Sequence, residues 1–504
     1  MLTTLAAPAF AEIWHIENGD ITISAGESGN NVTQNNNTTY GDTNTIITNQ
    51  NKDTASSHTV TIETNDKNDK VEVTLKDVNI DTSSRNKAAV SVTGEGDTNI
   101  KLDGDNALKS DIYRSGIYGS GSGSLTISGG ENDSLTAQGG SGANGISSSG
   151  SLTISGGTVT ANGDDGGRGI SSSGSVTISG GSTVTANGGS GTISGGDGIC
   201  SSGGVTISGG STVTANGGNG GSLVGGDGIR SGGGLTVSDG TVTAKGGNGD
   251  SKDGYGGDGI RSGGVVTISG NTVNAAGGYG GKVGGYGICS FDRVAISGGT
   301  VEAAGGNGST GGGSGIYSSV IDLSGSLELT AKAGSPTGKA LLQNGRELDL
   351  DTIKDKLDPG ANIITKDADG KVIDQVSIPR PVEPEGPVIP EESSSSSDSG
   401  SSAPSAPASP LPGLTVTDKD GQRISYTSTQ SGNTLTVCVG RFTASFRISL
   451  AALRQLRAEG IETITFQTIL CSTTLSVDEL LAMGGEDAGA VLTHRFTDSS
   501  LTVG

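Results

Sequence analysis

The sequence predicts an all-β solenoid, a parallel β-helix with three short strands in each coil of about 28–30 residues. Three observations lead to this fold class. A Gly-Ile pair recurs along the chain, each repeat carries further short phrases of alternating apolar residues, and 91 of the 504 residues are glycine. With so much glycine and only 3% aromatic residues, the chain lies outside the composition of ordinary globular domains.

The first strand of each coil is expected to begin at the isoleucine of the Gly-Ile pair. Eight repeats start at Ile117, Ile146, Ile170, Ile199, Ile229, Ile260, Ile288 and Ile316. A phrase of the type LTIS and another of the type TVTA usually follow, as at Leu152 and Val159. Both alternate apolar residues with Thr or Ser, the period of a strand with one buried face. Stacked at about 4.8 Å per coil, such strands close a continuous core.

Glycine is expected at the corners between strands, because sharp turns there call for positive φ. Collagen is excluded because there is no G-X-Y period, and a disordered tract is disfavoured because the apolar positions recur in register. One place after each isoleucine we expect an outward column: Tyr118, Ser147, Ser171, Cys200, Arg230, Arg261, Cys289 and Tyr317. The next position is serine in seven repeats, from Ser148 to Ser318, and is expected to face inward.

The chain is predicted to have six segments. They are a signal-peptide remnant (1–11), an N-terminal cap with irregular coils (12–115), the regular Gly-rich repeats (116–340), a C-terminal cap of the solenoid (341–377), a linker (378–413) and a small α+β domain (414–504). The first segment has the A-x-A spacing of a signal-peptidase site at Ala9 and Ala11, although an ordinary apolar N-terminus is the alternative. The linker holds nine of the twelve prolines, which favours an extended, solvated chain.

The small C-terminal domain is predicted to combine strands with two helices. Strands are expected at Leu414–Thr417, Leu435–Val439, Phe442–Ile448, Glu462–Thr468 and Val491–Thr497. The segment SLAALRQLRAEG predicts a helix with Ser449 as its N-cap and Gly460 at its C-terminal stop, and SVDELLAMGG predicts a shorter one. This domain is a candidate module for attachment to a cell wall.

Composition also excludes several classes of partner. The formal net charge is -22, which argues against nucleic acid and against docking on anionic lipid. There is no run of 18 or more apolar residues, so no membrane span is predicted. These properties suit a secreted, extracellular protein, including one attached to the cell surface.

A candidate metal site arises two positions before each isoleucine. Stacked coils place there a column of Asn144, Arg168, Asp197, Asp227, Asp258, Tyr286 and Ser314. The carboxylates of Asp197, Asp227 and Asp258 would repel one another at one coil spacing, and a Ca²⁺ ion held by carboxylates and loop carbonyls would relieve that repulsion. The alternative is that the three aspartates sit in water or face Arg230 and Arg261.

A candidate carbohydrate site is predicted on the same side of the solenoid. Tyr255, Tyr279 and Tyr286 fall in neighbouring Gly-rich loops, near Arg230 and Arg261. Aromatic faces suit sugar rings, and guanidinium groups suit the carboxylates of acidic sugars. Alternatively, these tyrosines pack on glycine backbone.

Catalysis is the less favoured alternative. Pectin lyases and polygalacturonases use this fold, and glycoside hydrolysis needs two carboxylates flanking the sugar bond. Within the regular repeats the only adjacent pair is Asp164 and Asp165, while His15 and His58 lie outside those repeats. We therefore assign no catalytic residues and expect a protein that is not an enzyme, with a pectin-type polysaccharide lyase as the alternative.

The phrases VEVTLKDVNIDTSS, GIYGSGSGSLTISG and the repeated LTISGGTVTA units resemble secreted bacterial parallel β-helix carbohydrate-binding proteins of plant-fibre-degrading anaerobes, over about residues 60–335. The resemblance implies a right-handed β-helix, calcium sites in the turns, and binding to plant cell-wall polysaccharides, acidic ones included, without demonstrated cleavage. This chain departs from that pattern through long ANGGNGG loops and fewer acidic turn residues, so calcium ligation carries over only to Asp197, Asp227 and Asp258. The resemblance does not cover the linker or the last domain.

Together these features predict an extracellular, non-catalytic protein that binds plant or host polysaccharide. The competing class is a structural surface adhesin or spacer whose repeats bind no sugar.

Overall fold

The computed structural model describes residues 12–379 and, further along, 414–417, 423–424, 426–431, 433–439, 444–468, 472–483, 489–494 and 499–503. The predicted signal-peptide remnant and nearly all of the predicted linker lie outside these residues. The chain divides into two compact units, Met1–Pro384 and Glu385–Gly504.

The first unit is a parallel β-solenoid of about 13 turns, as the repeat predicts. Each repeat isoleucine pairs with the next one along the stack, as Ile170 does with Ile199. The second and third strands stack in the same way, with Leu152 opposite Val176 and Val159 opposite Val184. One repeat is therefore one coil.

Three strands make up a regular coil. The first strands are Ile117–Gly119, Ile146–Ser148, Ile170–Ser172, Ile199–Ser201, Ile229–Ser231 and Ile260–Ser262. The second strands are Leu125–Ser128, Leu152–Ser155, Val176–Ser179, Val205–Ile207 and Leu235–Val237, and the third are Ser134–Ser141, Thr158–Asp164, Thr183–Asn187, Ser211–Asn216 and Gly240–Lys245. In the last coils strands merge into Val266–Ala276, Ile288–Ala304 and Ile316–Lys332.

The N-terminal segment continues the same three stacks. Its strands are Ile13–His15, Ile21–Gly26, Gly29–Gln34, Asn37–Asp42, Thr45–Thr48, Val60–Thr64, Lys70–Lys76, Asn79–Asp81, Val90–Gly94, Asp97–Asp103 and Asp105–Lys109, with a 3-10 helix at Ile16–Asn18. Val60–Thr64 pairs with Val90–Gly94, which pairs with Ile117–Gly119. Near the chain start, Ile21–Gly26, Gly29–Gln34 and Asn37–Asp42 form an antiparallel meander. A change from parallel to antiparallel pairing is one way to end a solenoid without leaving a free parallel edge.

The C-terminal end of the solenoid is closed in a similar way. Its elements are Leu341–Gln343, Arg346–Glu347, a 3-10 helix at Leu350–Lys356, Asn362–Lys366 and Val372–Ser377. Asn362–Lys366 pairs in parallel with Ile316–Lys332 and antiparallel with Val372–Ser377. The parallel stack therefore ends in a hairpin.

The core is one hydrophobic cluster that extends from Trp14 to Val376. The repeat isoleucines are fully buried within it. The predicted serine column also faces inward, and its hydroxyls bond to turn carbonyls of the preceding coil. Ser201 Oγ donates to Gly174 O at 2.8 Å, and Ser231 Oγ donates to Gly203 O at 3.0 Å.

The long glycine-rich loops form an ordered layer beside the core. We call residues 188–198, 217–228, 246–259, 277–287 and 305–315 the glycine layer. Each loop has an outgoing limb that leaves the third strand and a returning limb that enters the next first strand. Outgoing and returning limbs alternate along the solenoid and are joined by backbone hydrogen bonds. Gly196 N of a returning limb donates to Gly189 O of the outgoing limb at 2.9 Å, and Gly218 N of the next outgoing limb donates to Gly196 O at 2.8 Å. The same alternation continues along the solenoid from Gly167 to Gly334.

Close packing, rather than positive φ, explains the glycines of this layer. A Cβ on Gly196 would lie 1.9 Å from Gly167 O, and one on Gly226 would lie 1.9 Å from Gly196 O. Neither residue has positive φ. The expectation that corners need positive φ is correct between second and third strands, as at Gly180 (φ 68°) and Gly181 (φ 70°), but it is wrong for the layer.

The second unit contains sheets and short helices, as predicted. Its strands are Leu414–Thr417, Thr427–Ser431, Thr434–Cys438, Ala444–Ser449, Thr463–Gln467, Ser472–Ser476, Gly489–His494 and Ser499–Val503, and its helices are Leu450–Ala458 and Val477–Met483. Ser449 caps the first helix by accepting the Ala452 N–H, and Gly460 has φ 90° after its end. The strands at Thr427, Ser472 and Ser499 were not predicted. Within the described parts of both units, no helix is long and apolar enough to cross a bilayer.

Candidate ligand groove

A groove of about 560 Å³ lies where the first strands meet the returning limbs of the glycine layer. We call it the corner groove. Its polar and charged lining residues are Asn144, Arg168, Ser194, Asp197, Asp227, Arg230 and Arg261, and glycine backbone supplies most of the remainder. Two of the three predicted aspartates and both predicted arginines therefore line one groove, and Asp258 lies beneath Arg261 next to it.

The aspartates of this groove tie successive coils together. Asp197 Oδ1 accepts the backbone N–H of Asp227 at 2.9 Å, and Asp227 Oδ1 accepts that of Asp258 at 2.8 Å. Asp258 Oδ1 accepts the N–H of Tyr286 at 2.7 Å. Asn144 makes the equivalent bond to Arg168 N, so a carboxylate is not required for this role. One oxygen of each aspartate thus has a structural task.

The other carboxylate oxygen of each aspartate faces a guanidinium group. Asp197 Oδ2 lies 3.3 Å from Arg168 Nε, Asp227 Oδ2 lies 3.9 Å from Arg230, and Asp258 Oδ2 lies 3.0 Å from Arg261. The three aspartate side chains are at most 8% exposed, whereas the arginine side chains are 37–53% exposed. The sequence left calcium, water and arginine open as neighbours of the aspartates; in the structure each aspartate faces an arginine, although Asp197 faces Arg168 rather than Arg230 or Arg261. Each solvent-accessible guanidinium group therefore lies beside a buried carboxyl group.

Burial also changes the protonation of two of these aspartates. Loss of solvent, together with the nearby charges of Asp258 and Asp197, raises the pKa of Asp227 to about 8. Burial likewise raises the pKa of Asp258, to about 6, against the opposing effect of hydrogen bonds and Arg261. Near neutral pH the aspartates therefore carry less negative charge than three ionised carboxylates would. The exposed side of the groove is left with an excess of positive charge.

The aspartate oxygens that were predicted to bind calcium are engaged by other groups in this arrangement. Calcium needs six to eight oxygen ligands, and here one oxygen of each aspartate accepts an N–H while the other faces a guanidinium. In the described part of the chain, there is no group of three or more His, Cys, Asp or Glu residues that could hold a metal. Calcium at Asp197, Asp227 and Asp258 stays a prediction, and a bound ion would have to displace the arginines.

Aromatic residues lie at the C-terminal side of the groove. The rings of Tyr286 and Tyr317 stack at 5.0 Å between centroids and 16° between planes. Arg261 lies over the ring of Phe291 at 5.2 Å. Tyr286 thus lies in the coil after Arg261, and its role in sugar binding stays a prediction, while Tyr317 and Phe291 were not selected from the sequence as binding residues.

The other two predicted tyrosines differ in position. Tyr255 lies in a returning limb, in register with Val224, which lines the groove, and Lys282 Nζ is 5.6 Å from its ring centre. Tyr279 lies in an outgoing limb, where its N–H donates to Asn248 Oδ1 at 2.9 Å. Tyr255 thus extends the groove side, and Tyr279 belongs to a separate column.

Two residues at the opposite end were missed as site candidates. Arg168 was placed in the column but not recognised as a binding residue, although it pairs with Asp197 of the following coil, whereas Arg230 and Arg261 each pair with the aspartate three residues before them in the same coil. Tyr113 is 77% exposed and has φ 59°, a left-handed conformation that costs a non-glycine residue about 1–2 kcal/mol. The available sequence signal was the alignment of Tyr113 with Gly142 and Gly166, two positions that favour glycine.

Two cysteines near the groove are poor nucleophiles. Burial raises the pKa of Cys200 to about 11 and that of Cys289 to about 12. Both thiols are therefore neutral at physiological pH, whereas nucleophilic attack requires the thiolate. Cys289 was expected to face outward and is instead buried.

Comparisons with protein-family models, with curated proteins and with solved structures found no match. The functional interpretation therefore depends on the chemistry of the groove. That chemistry is a row of accessible guanidinium groups, held by buried acids and flanked by aromatic rings.

Proposed function

We propose that the solenoid binds acidic polysaccharide in the corner groove and does not cleave it. The observation that carries this proposal is the row formed by Arg168, Arg230 and Arg261, each half exposed and each paired to a buried aspartate. The chain as a whole has a net charge of -22, so a local excess of guanidinium groups points to a specific anionic ligand.

Arg230 and Arg261 are paired in register on successive coils, and Arg168 lies in the neighbouring aspartate column of an earlier coil. At about 4.8 Å per coil, Arg230 and Arg261 lie one step apart and Arg168 lies two steps, about 10 Å, before Arg230. A linear polymer with a carboxylate on each sugar presents anions at regular intervals in the same way. Guanidinium groups bind carboxylates through two parallel hydrogen bonds, which favours uronate sugars over neutral ones.

The supporting residues suit this ligand as well. The aspartates restrain the arginine side chains, so less conformational entropy is lost when the ligand binds. The stacked pair Tyr286–Tyr317 offers an aromatic surface next to the last arginine, suited to the apolar face of a sugar ring. We propose an extracellular setting, with plant or host polysaccharide as ligand and with the C-terminal domain as a module for attachment to a cell wall.

A non-catalytic role is supported by how the carboxyl groups are used. Hydrolysis needs one carboxyl group to protonate the leaving oxygen and a second to act as base or nucleophile. Asp227 and Asp258 are buried beneath arginines and bonded to backbone N–H groups, which suits positioning better than proton transfer to a sugar. A pectin-type lyase is the alternative, and it would be revealed by unsaturated products formed from polygalacturonate.

Binding of purified full-length protein to polygalacturonate, measured by calorimetry, tests the proposal. A neutral glucan of similar length serves as the ligand control. We expect binding to polygalacturonate that weakens as salt is added, because the attraction is between exposed charges. Arg230→Gln should weaken it about tenfold, since hydrogen bonds to charged groups contribute about 1.5–3 kcal/mol.

Matched variants make this test specific. Arg293→Gln removes an exposed arginine that does not line the corner groove and should leave the affinity unchanged. Arg230→Lys keeps the charge but not the planar fork, and should give an intermediate loss. If no acidic polysaccharide binds, the proposal is wrong and the protein belongs to the structural spacer or adhesin class. If the absorbance of unsaturated products grows during incubation with polygalacturonate, the protein is a lyase.

A further inference from the structure

Three turns at the N-terminal end of the groove stack on one another. Each is closed by a backbone bond: Arg114 N to Asp111 O, Ala143 N to Gly140 O and Gly167 N to Asp164 O, all at 2.9 Å. The third residues of these turns are Tyr113, Gly142 and Gly166, with φ 59°, 75° and 81°. Tyr113 thus occupies a left-handed position where the next two coils have glycine.

A tyrosine in this conformation is strained, and burial does not compensate for the strain. Tyr113 is 77% exposed, whereas Tyr255 is 45% exposed. Bulky residues with positive φ are uncommon, and strain of this kind concentrates at ligand-binding positions. The position of Tyr113 therefore calls for an explanation other than folding.

The ring of Tyr113 adjoins the corner groove. A Cβ on Gly142 would lie 2.9 Å from both Cδ1 and Cε1 of this ring, so the ring covers Gly142, which is itself part of the groove lining. One coil later the lining continues with Gly166 and Arg168. The exposed aromatic ring and the three arginines therefore border the same groove, which extends over several coils.

We propose that Tyr113 is a sugar-stacking subsite at the N-terminal end of the corner groove, which makes the ligand a linear uronate chain lying parallel to the solenoid axis. This inference rests on the proposed function and adds the direction and extent of the ligand. Tyr113 precedes Arg168 by two coils and Arg230 by four, which corresponds to about 10 and 19 Å. With Tyr286 and Tyr317 at the other end, the groove recognises internal stretches of a polymer.

The outward column of the first strands is consistent with this direction. It begins with Tyr118, which is 43% exposed, passes through Arg230 and Arg261 and ends with Tyr317. Aromatic residues thus stand at both ends of a column that carries Arg230 and Arg261 between them. A polymer along this row would place sugar rings on the aromatics and carboxylates on the arginines.

Replacement of the tyrosine by glycine tests the inference without harming the fold. Tyr113→Gly removes the ring and relieves the strain, so its melting temperature should equal or exceed that of wild type. We expect the dissociation constant for polygalacturonate to rise about two- to tenfold, the range for one aromatic contact. Tyr113→Phe keeps the stacking face and should bind like wild type.

Tyr40→Ala is the matched control, because Tyr40 is as exposed, at 74%, but lies in the N-terminal antiparallel meander. It should not change the affinity. If Tyr113→Gly binds as tightly as wild type, or if Tyr40→Ala loses as much, the subsite is overturned while polysaccharide binding itself stands. If wild type binds no acidic polysaccharide, polygalacturonate included, the proposed function and this inference fall together.

Discussion

Asp227 Oδ1 accepts the backbone N–H of Asp258 at 2.8 Å, while its Oδ2 faces Arg230 at 3.9 Å. One side chain thus joins two coils and positions a cation that solvent can reach. Asp197 and Asp258 have the same two roles, since one oxygen accepts a backbone N–H of the next coil and the other faces a guanidinium group. Stability and ligand binding are therefore linked at these residues.

Asp227→Asn should alter the pH dependence of stability. The asparagine keeps the acceptor, as Asn144 does in the same column, and removes a carboxyl group whose pKa rises from 3.8 to about 8 on folding. Because the native state holds this proton more tightly, wild type loses stability as pH rises between those values. We expect the variant to gain relative to wild type over that range, by at least about 1.4 kcal/mol, the equivalent of one pKa unit.

Thermal unfolding of both proteins at about pH 5 and about pH 8.5 checks this prediction. Asp250→Asn is the control, since Asp250 is an exposed residue of the glycine layer. It makes the same substitution at an exposed position and should follow wild type at both pH values. A constant difference between Asp227→Asn and wild type across the range would contradict the pKa shift.

Ligand affinity should depend on pH through the same carboxyl groups. Protonation of Asp227, whose pKa is raised to about 8, and then of Asp258, at about 6, removes negative charge beneath Arg230 and Arg261. We expect polygalacturonate to bind more tightly at about pH 6 than at about pH 9, measured at constant ionic strength. Asp227→Asn should reduce this dependence, and an affinity that rises with pH would argue against an anionic ligand.

Substitution of a glycine in the layer should be severe. In Gly196→Ala the new Cβ would lie 1.9 Å from Gly167 O, a backbone atom that cannot move aside without displacing the neighbouring coil. We expect a loss of about 3 kcal/mol or more in the free energy of unfolding. Gly298→Ala is the control, because its nearest neighbour would be 3.6 Å away, and it should change stability by less than about 0.5 kcal/mol. Equal effects in denaturant titrations would refute the close-packed layer.

Calcium should stabilise the protein only if it displaces the arginines of the corner groove. The arginines and backbone N–H groups already engage the oxygens of Asp197, Asp227 and Asp258. We expect the melting temperature to be the same in calcium chloride and in a chelator at matched ionic strength. A clear rise with calcium, absent from Asp227→Asn, would show that the ion replaces the arginines at this site.

The solenoid could be predicted because its signals are periodic. The isoleucine register and the inward serines follow from repetition, which needs no knowledge of side-chain conformations. The helix that begins after Ser449 was predicted from its cap. The column of aspartates was also visible, since residues at equal positions stack.

The details of the groove could not be predicted in the same way. Whether Asp258 faces water, calcium or Arg261 depends on side-chain conformation, which repetition does not specify. Tyr255 and Tyr279 look equivalent in sequence, since both follow glycines in long loops, yet the limbs of the layer place them in different columns. Alternating glycines carry no signal for which face a neighbouring side chain takes.

The varying coil lengths have a consequence for how such a chain can evolve. Repeats start 24 residues apart at Ile146 and Ile170 but 31 apart at Ile229 and Ile260, while the stacked strands keep their register. Extra residues are accommodated in the loops. Duplication or deletion of one whole repeat would therefore produce ends that still match, and would change the length of polymer covered by one coil step. Recombination within the gene can thus adjust reach without redesigning the binding chemistry.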